Sequence, residues 1–408
     1  MAVGIEKINL YAGSLFLDVE DLAKARNKDS NYIKESLGLH KKALNVDYED
    51  VITLAVNAAK PIITDQDRED IELCIFATES GLDYCKSNST YVCRYLGLKS
   101  SVRNFEIKHA CYATTCALQM AISWVASGVA PGKKALIISS DVTYELAGRP
   151  SEEVPAVGSV AMLISDTPTI VAFELGKNGY HTFECNDYAR PTRTRDILNG
   201  EESVYAYLEC VDGAWEHYKQ NAGEPITDEH FQRMLFHTPM VGLVRIAHSN
   251  LLKTERPGIK KKEIKADFEI RVGNSFLMNE EIGHTYSSSI YMCLLSLLIK
   301  DQNLQANDRI GMFSYGSGCC AEFFSVIVLP GAQEYVRRLG VKDYLASRYR
   351  LSVDQYDELL ESQFSRTNDH TFDADLTFPD GWYDKFYKGK GHLILKGTTD
   401  FVREYEWS

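Results

Sequence analysis

A cysteine at the start of an apolar run is the first candidate for chemistry in this sequence. Residues 109–120 read HACYATTCALQM, and the apolar residues after Cys111 predict a buried helix. A thiol at the first turn would lie in the partial positive charge of the helix N-terminus, which lowers its pKa and favours the nucleophilic thiolate. Cys116 lies more than a turn further on, where this effect has faded. Core filling is the competing interpretation, because free cysteine is among the most buried residue types.

A carboxylate follows one of the predicted strands. Glu79 ends the run IELCIFATES, and the carboxyl ends of strands are where open α/β sheets place ligands and catalytic groups. Burial there would raise the pKa of Glu79, so that it could act as a general acid or base. The alternative is a loop carboxylate or helix cap, a position for which Ser80, Asp83 and Ser87 compete.

Two histidines and a glycine turn complete the candidate set. His237 ends a strand in LFHTPMVGLVRIAH, where Pro239 sets the turn into the next helix, and a neutral imidazole there can donate to a carbonyl. His284 precedes a helical pattern in GHTYSSSIYMCLLSLL. In the turn SYGSG, Gly316 and Gly318 permit close backbone approach and N–H donation to an oxyanion. One thiol, one carboxylate and two imidazoles fit acyl transfer through a thioester.

The elements that must position these side chains alternate along the chain. Short apolar runs predict buried parallel strands at 71–80, 133–141, 159–166, 234–239 and 309–318, and longer patterns predict helices at 112–128, 241–252 and 286–300. This alternation indicates an α/β fold. A weak internal similarity divides the chain into residues 1–190, carrying Glu79 and Cys111, and residues 191–408, carrying His237 and His284. After about residue 335 we expect a helical and irregular appendage.

Composition excludes several classes of function. A formal net charge of −13 opposes non-specific binding to nucleic acid. The N-terminal residues lack the features of a signal peptide, and no apolar run approaches the roughly 18 residues of a membrane span, which together predict a cytoplasmic protein without membrane contact. Ten cysteines without a CxxC pair predict free thiols rather than disulfides or a structural metal site.

The longer motifs resemble the 3-hydroxy-3-methylglutaryl-CoA (HMG-CoA) synthase family, and most closely its polyketide β-branching members. The matching stretches are ATESGLDYCKSNSTYV, ACYATTCALQMA, FHTPMVGLVRIAH, MFSYGSGCCAEF and VREYEW, in the family's order. The resemblance implies a thiolase-type αβαβα layered fold of two similar halves, usually a homodimer. It also accounts for the internal similarity.

The resemblance further implies an aldol addition that needs no metal or separate cofactor. Cys111 would accept an acetyl group as a thioester, Glu79 would act as base and then acid, and His237 would polarise the acceptor thioester. Hydrolysis of the enzyme thioester would release the product. In the polyketide branch, donor and acceptor are an acetyl-loaded and a β-ketoacyl-loaded acyl carrier protein (ACP), each presenting its acyl group on a phosphopantetheine arm. Residues expected at the substrate are Thr114, Pro239, Tyr315, Gly316, Ser317 and Gly318.

Two departures from the family pattern keep alternatives open. His284 stands where the family usually has Asn, and a Cys-His-His set resembles decarboxylating ketosynthases or simple acyltransferases. Glu79 argues against decarboxylation, because it would repel a malonyl carboxylate. Thr114 stands where the family typically has Gly, which predicts a narrower acyl pocket suited to acetyl. A degenerate member that only binds carrier protein as a scaffold is the third hypothesis.

Docking of an acidic carrier protein needs a local positive patch on this acidic chain. The clearest candidate is KTERPGIKKKEIK at 253–265, with Lys260, Lys261 and Lys262 at its centre. The competing interpretation is a solvated surface, which is the usual position of a lysine run.

Overall fold

A computed structural model describes residues 2–144, 146–150 and 152–408. The strands of this part of the chain are β1 (Gly4–Tyr11), β2 (Leu15–Asp18), β3 (Lys41–Leu44), β4 (Ile71–Ala77), β5 (Arg103–Ile107), β6 (Lys134–Asp141), β7 (Gly158–Ser165), β8 (Val171–Thr182), β9 (Tyr188–Thr192), β10 (Arg195–Leu198), β11 (Arg233–Phe236), β12 (Arg309–Gly316), β13 (Cys320–Val328), β14 (Tyr349–Arg350), β15 (Phe372–Asp373), β16 (Leu393–Thr399) and β17 (Val402–Trp407).

The α-helices of the described residues are α1 (Val19–Ala25), α2 (Ser30–Tyr32), α3 (Val51–Ala59), α4 (Asp65–Asp70), α5 (Ser89–Leu96), α6 (Ala113–Ala126), α7 (Gly200–Asn221), α8 (Val241–Glu255), α9 (Lys261–Arg271), α10 (Leu277–Ile282), α11 (Ser289–Lys300), α12 (Ala332–Arg338), α13 (Val341–Ser347) and α14 (Val353–Ser365). Short 3-10 or π turns occur at Ile33–Leu37, Lys60–Ile62, Asp228–His230, Gly273–Ser275, Tyr286–Ser288 and Tyr383–Tyr387. All five predicted strands and all three predicted helices are present.

A nine-stranded mixed sheet organises the fold, in the order β11-β12-β13-β8-β1-β7-β6-β4-β5. The pairs β4–β5, β4–β6 and β11–β12 are parallel, as the continuous apolar runs predict. Strand β7 pairs antiparallel with β6, so the expectation of a parallel strand at 159–166 is wrong. Burial on both faces of a strand gives the same apolar run in either direction, which is why the sequence alone did not distinguish them.

Two helices are buried along almost their whole length. Every residue of α3 is buried, and α11 is buried from Ser289 to Ile299, with only Lys300 exposed. A helix that is apolar on all sides has to be covered on all sides by other elements. Both therefore lie inside the molecule, and the segment carrying His284 leads directly into one of them.

The central sheet joins strands from two parts of the sequence. Strands β1 and β4–β7 come from residues 4–165, and β8 with β11–β13 come from residues 171–328. They meet where Gly4 and Ile5 of β1 pair with Ala172 and Val171 of β8. The boundary predicted at residues 190 and 191 falls after β8, in the β9–β10 hairpin, and the division into halves 1–190 and 191–408 stays a prediction.

The C-terminal segment is more ordered than expected. Helices α12, α13 and α14 agree with the predicted helical part. The expectation of irregular structure is wrong for β15, β16 and β17, which form a three-stranded antiparallel sheet. Strand β14 adds in parallel to β2, so this segment is tied to the N-terminal residues.

Within residues 2–144, 146–150 and 152–408, no helix has the length and the hydrophobicity that crossing a membrane requires.

Candidate active site

Four of the predicted residues lie at the ends of strands or helices and meet in one place. Glu79 follows β4, Cys111 lies between β5 and α6, His237 follows β11 directly, and His284 follows α10. Because β4 and β5 are parallel, their carboxyl ends lie at the same edge of the sheet. The Cys111 sulfur and one ring nitrogen from each histidine lie within 4.8 Å of one another. The structure therefore brings all three together, with Glu79 beside the thiol.

Cys111 is in contact with both a carboxylate and an imidazole. Its Sγ lies 3.6 Å from Glu79 Oε1 and 3.7 Å from His284 Nε2. Helix α6 begins at Ala113 with Tyr112 as its N-cap, so the thiol lies just before the first turn. Burial, reinforced by the charges of Glu79 and Asp141, raises the pKa of Cys111. The expectation of a lowered pKa is wrong, because desolvation and nearby negative charge outweigh the helix N-terminus.

Glu79 has the character predicted for a general acid or base. Its side chain is 8% exposed. Burial raises the pKa of Glu79 to about 7, with Arg190 acting in the opposite direction and Asp141 adding to the increase. Helix α5 begins at Ser89 with Asn88 as its N-cap, so Glu79 does not cap it. A carboxyl group with this pKa is available in both protonation states near neutral pH.

His284 is held in one tautomer by the backbone. Its Nδ1 lies 3.2 Å from the Thr238 carbonyl oxygen, to which it can only donate. The other nitrogen, Nε2, then presents its lone pair to the Cys111 sulfur. Burial lowers the pKa of His284 to about 4, so the ring is neutral at physiological pH. A neutral imidazole with a free lone pair can accept the thiol proton.

His237 is buried next to His284. The two ring centroids are 5.2 Å apart and nearly perpendicular. Burial lowers the pKa of His237 well below its ordinary value, and the neighbouring His284 lowers it further. Its Nδ1 has no hydrogen-bond partner among the described residues, while Tyr207 donates to its backbone carbonyl at 2.7 Å. This ring is neutral and keeps hydrogen-bonding capacity that a substrate could use.

Asp141 is a site residue that sequence reasoning missed. It is buried at the end of β6 and accepts hydrogen bonds from the Thr78 hydroxyl at 2.8 Å, the Glu79 N–H at 2.9 Å and the Ser287 hydroxyl at 2.9 Å. One carboxylate thus joins the loop carrying Glu79 to the turn after His284. Its position at the end of the run KKALIISSD was the available signal, by the same rule that selected Glu79.

The segment carrying Cys111 is fixed from the C-terminal part of the chain. Tyr112 donates to the buried Glu322 carboxyl at 2.7 Å, a contact that sequence reasoning also missed. A Cβ added to Gly316 would lie 2.6 Å from both the His109 carbonyl oxygen and the Tyr112 nitrogen. The close approach predicted for Gly316 is therefore an approach to the backbone around the thiol.

The rest of the SYGSG turn is held by a buried carboxylate. Asp187 accepts from the Tyr315 hydroxyl at 2.6 Å and from the Gly318 N–H at 2.9 Å. Gly318 has a positive φ of 113°. Because its N–H is already engaged, Gly318 is not a free oxyanion donor in this conformation. Substrate contacts of Tyr315, Gly316, Ser317 and Gly318 stay predictions.

The remaining predicted residues differ in burial and in their position in the fold. Thr114 lies in the first turn of α6, fully buried, and its hydroxyl has no hydrogen-bond partner among the described residues. Pro239 is half-buried between His237 and α8. The three lysines Lys260, Lys261 and Lys262 are exposed at the start of α9. In sequence they follow the 15-residue helix α8, which is about 22 Å long and begins four residues after His237.

Comparison with known proteins identifies the family to which the chain belongs. The family model described as hydroxymethylglutaryl-coenzyme A synthase N terminal matches residues 1–168, and the corresponding C-terminal model matches residues 258–385. The chain belongs to the hydroxymethylglutaryl-CoA synthase family. It is similar along 100% of its length to the polyketide biosynthesis 3-hydroxy-3-methylglutaryl-ACP synthase PksG of Bacillus subtilis (strain 168), with 34% identity and 99% of that protein covered.

Other members of the HMG-CoA synthase family show the same relationship. The Enterococcus faecalis hydroxymethylglutaryl-CoA synthase is 30% identical, over 93% of this chain and 96% of that protein. The crystal structure of the curacin biosynthetic pathway HMG synthase in complex with holo donor-ACP superimposes with a TM-score of 0.95 at 38% identity, covering 100% of both chains. The predicted thiolase-type α/β fold is confirmed, and the chain is an acyl-transferring enzyme that forms carbon–carbon bonds.

Proposed function

We propose that this enzyme adds an acetyl unit from acetyl-ACP to the β-ketone of an ACP-bound polyketide intermediate, through an acetyl-Cys111 thioester. The observation that carries the proposal is the position of Cys111 between Glu79 and His284, at 3.6 and 3.7 Å. Similarity to PksG, named for polyketide biosynthesis, and to the curacin enzyme in complex with acetyl donor-ACP supports carrier-bound rather than free thioesters.

Acetyl transfer is the first half-reaction. We assign removal of the Cys111 proton to His284 Nε2, which lies 3.7 Å from Sγ. The thiolate attacks the acetyl carbonyl carbon, and the phosphopantetheine thiolate leaves and takes up the proton that His284 accepted. The phosphopantetheine is part of the carrier substrate, so this step requires no separate cofactor.

Condensation and hydrolysis follow at the same site. Glu79 in its anionic form removes a proton from the acetyl methyl group, and the resulting enolate carbon attacks the β-carbonyl carbon of the acceptor. His237 donates to the acceptor carbonyl, and protonated Glu79 returns its proton to the new tertiary alkoxide. Water then cleaves the Cys111 thioester, which restores the thiol and leaves a β-hydroxy-β-carboxymethyl acyl chain on the acceptor carrier.

A decarboxylating condensation or simple acyl transfer is the second candidate, and the proximity of Cys111, His237 and His284 favours it. The Cys111 sulfur and one ring nitrogen of each histidine lie within 4.8 Å of one another. Glu79 argues against decarboxylation, because its carboxylate lies 3.6 Å from the thiol and would repel a malonyl carboxylate there. The scaffold hypothesis has less support, because the chain retains all the predicted reactive side chains in one buried cluster.

The partners we propose are a donor ACP loaded with acetyl and an acceptor ACP loaded with a β-ketoacyl chain. Docking at the exposed Lys260, Lys261 and Lys262 would attract an acidic carrier protein. A homodimer in the cytoplasm completes the proposal.

Intact-mass spectrometry separates these functions. The protein is mixed with acetyl-ACP, and a β-ketoacyl-ACP is then added. We expect an acetyl adduct that Cys111→Ala abolishes, followed by a gain of one acetate unit on the acceptor without release of carbon dioxide. Decarboxylation of malonyl-ACP in the absence of any acetyl adduct would contradict the aldol reaction. Carrier binding by folded protein without any adduct would support the scaffold hypothesis instead.

A further inference from the structure

The β9–β10 hairpin places a buried arginine against the catalytic carboxylate. The Nη1 atom of Arg190 lies 3.8 Å from Glu79 Oε2, and its side chain is only 12% exposed. The other oxygen, Oε1, is the atom that faces the Cys111 sulfur. One oxygen of the Glu79 carboxylate thus faces the Arg190 guanidinium, and the other faces the Cys111 thiol.

Arg190 is itself held on several sides. Its Nε donates to Asp196 Oδ1 at 2.7 Å, and its Nη2 donates to the Tyr188 hydroxyl at 2.7 Å. Its guanidinium lies over the Tyr286 ring at 5.0 Å, and that ring packs 5.4 Å from His284. A guanidinium with this many fixed contacts loses little further freedom when it orients a carboxylate.

The hairpin is also attached to the loop that carries Glu79. Arg193, at the turn between β9 and β10, donates to the carbonyl oxygens of Gly81 and Leu82. The same hairpin therefore fixes the backbone after Glu79 and the side chain of Glu79. Both contacts attach the hairpin to the candidate active site.

We propose that Arg190 is a positioning residue for Glu79, which turns Oε1 toward Cys111 and keeps the anionic form available for proton abstraction. The role rests on the proposed function of Glu79 as base and acid in the condensation. Residues 190–203 are a polar stretch of the sequence at the predicted boundary between the halves, and neither the family motifs nor the four predicted catalytic residues include Arg190.

The electrostatic surroundings of Glu79 agree with this role. Burial raises the pKa of Glu79, and the Asp141 and Asp196 carboxylates raise it further. Arg190 lowers this pKa more than any other single group, and the hydrogen bond from the Cys111 thiol also lowers it. The Tyr188 hydroxyl also interacts with Glu79, and burial raises the pKa of this hydroxyl, so it stays neutral. Without Arg190, the pKa of Glu79 would rise, and less of the anionic base would be present at neutral pH.

The test compares Arg190→Met with Arg195→Met, an exposed arginine of the same hairpin. Acetylation of Cys111 and condensation are timed separately by intact mass from about pH 6 to 9. In Arg190→Met we expect the acid limb of condensation to move up by about one pH unit and its rate at neutral pH to fall about 10- to 100-fold. Arg190→Lys should keep the limb in place with a lower rate. An unmoved limb in Arg190→Met would overturn the proposal.

A second readout is independent of turnover. Alkylation of Cys111 by iodoacetamide, followed on its peptide by mass spectrometry, should show an inflection when Glu79 ionises, which Glu79→Gln removes. Arg190→Met should move this inflection upward, and Arg195→Met should not; an inflection that stays in place overturns the role of Arg190. If Cys111 of the wild type shows this inflection but the enzyme never condenses its substrates, the proposed function fails. The role of Arg190 is then tested by the position of the inflection alone. Arg190→Gln repeats the test if the methionine variant does not fold.

Discussion

Glu79 Oε1 and Cys111 Sγ face each other at 3.6 Å in the interior of the site. An acetyl group attached to that sulfur would carry its methyl hydrogens into the reach of the same carboxylate. The proposed nucleophile and the proposed base are therefore placed for two successive steps on one acetyl unit, and the charge of each affects the pKa of the other. Burial raises the pKa of both groups, while the hydrogen bond between them raises the pKa of Cys111 further and lowers that of Glu79.

Replacing Glu79 by Gln should separate the two half-reactions. We expect acetylation of Cys111 to remain within about 10-fold of wild type, because His284 still accepts the thiol proton, while condensation falls by about 1,000-fold or more. Intact mass with acetyl-ACP, before and after addition of acceptor, measures both rates. Equal loss of both would mean that Glu79 deprotonates Cys111, and unchanged condensation would favour the decarboxylating alternative.

The pH dependence of condensation should report Glu79 rather than the histidines. Glu79 must be anionic to act as base, and its pKa is raised to about 7, so the rate should rise through this pH and level off above it. Burial lowers the pKa of His284 to about 4 and that of His237 well below its ordinary value, so neither histidine changes charge near pH 7. Single-turnover rates of condensation between about pH 5 and 9 test whether Glu79 causes this rise. We expect the same rise in His284→Asn.

Removal of the His284 imidazole should impair the first half-reaction. Its Nε2, 3.7 Å from Sγ, is positioned to take the proton of a thiol whose pKa is raised. We expect His284→Ala to slow acetylation of Cys111 by about 10- to 100-fold. His284→Asn restores the usual family residue and is the matched variant. If His284→Ala acetylates at the wild-type rate, another group deprotonates Cys111.

Glu322→Gln should make the protein more stable at alkaline pH. Burial raises the pKa of Glu322 from 4.5 to about 7, so below pH 4.5 both folded and unfolded chains are protonated and no difference arises from ionisation. Between pH 4.5 and about 7, residue 322 of the wild type ionises only in the unfolded chain, which lowers the free energy of unfolding. The Gln side chain of the variant does not ionise, so the variant does not lose this stability. Relative to its effect at pH 4.5, the variant should gain about 1–3 kcal/mol at pH 8 in urea unfolding. A gain that is independent of pH would contradict this assignment.

Gly316→Ala should displace the backbone that carries the thiol. The added methyl would lie 2.6 Å from the Tyr112 nitrogen and the His109 carbonyl oxygen, both of them backbone atoms that cannot rotate away. We expect a loss of about 2–4 kcal/mol in unfolding free energy and a slower acetylation of Cys111. Gly200→Ala, which meets open space at the start of α7, is the control and should change neither.

The residues at strand ends were predictable because their positions follow from local pattern. Apolar runs identified β4 and β11, and the polar residue after each run had to lie at the edge of the sheet, which selected Glu79 and His237. Cys111 and His284 were similarly marked by the helices that follow them. The direction of β7 and the β15–β17 sheet were not predictable in this way, because buried strands look alike in either direction and short strands give weak patterns.

The sequence by itself determined the α/β class, the family and the four reactive residues, because periodicity and long motifs are written along the chain. Only the tertiary structure decided how these groups affect one another. The pKa of Cys111 is raised rather than lowered because the Glu79 and Asp141 carboxylates are folded against it. Arg190 belongs to a polar stretch at the predicted boundary between the halves, and folding places it 3.8 Å from Glu79. Burial and Coulomb interactions depend on distances between residues far apart in sequence, and only folding sets those distances.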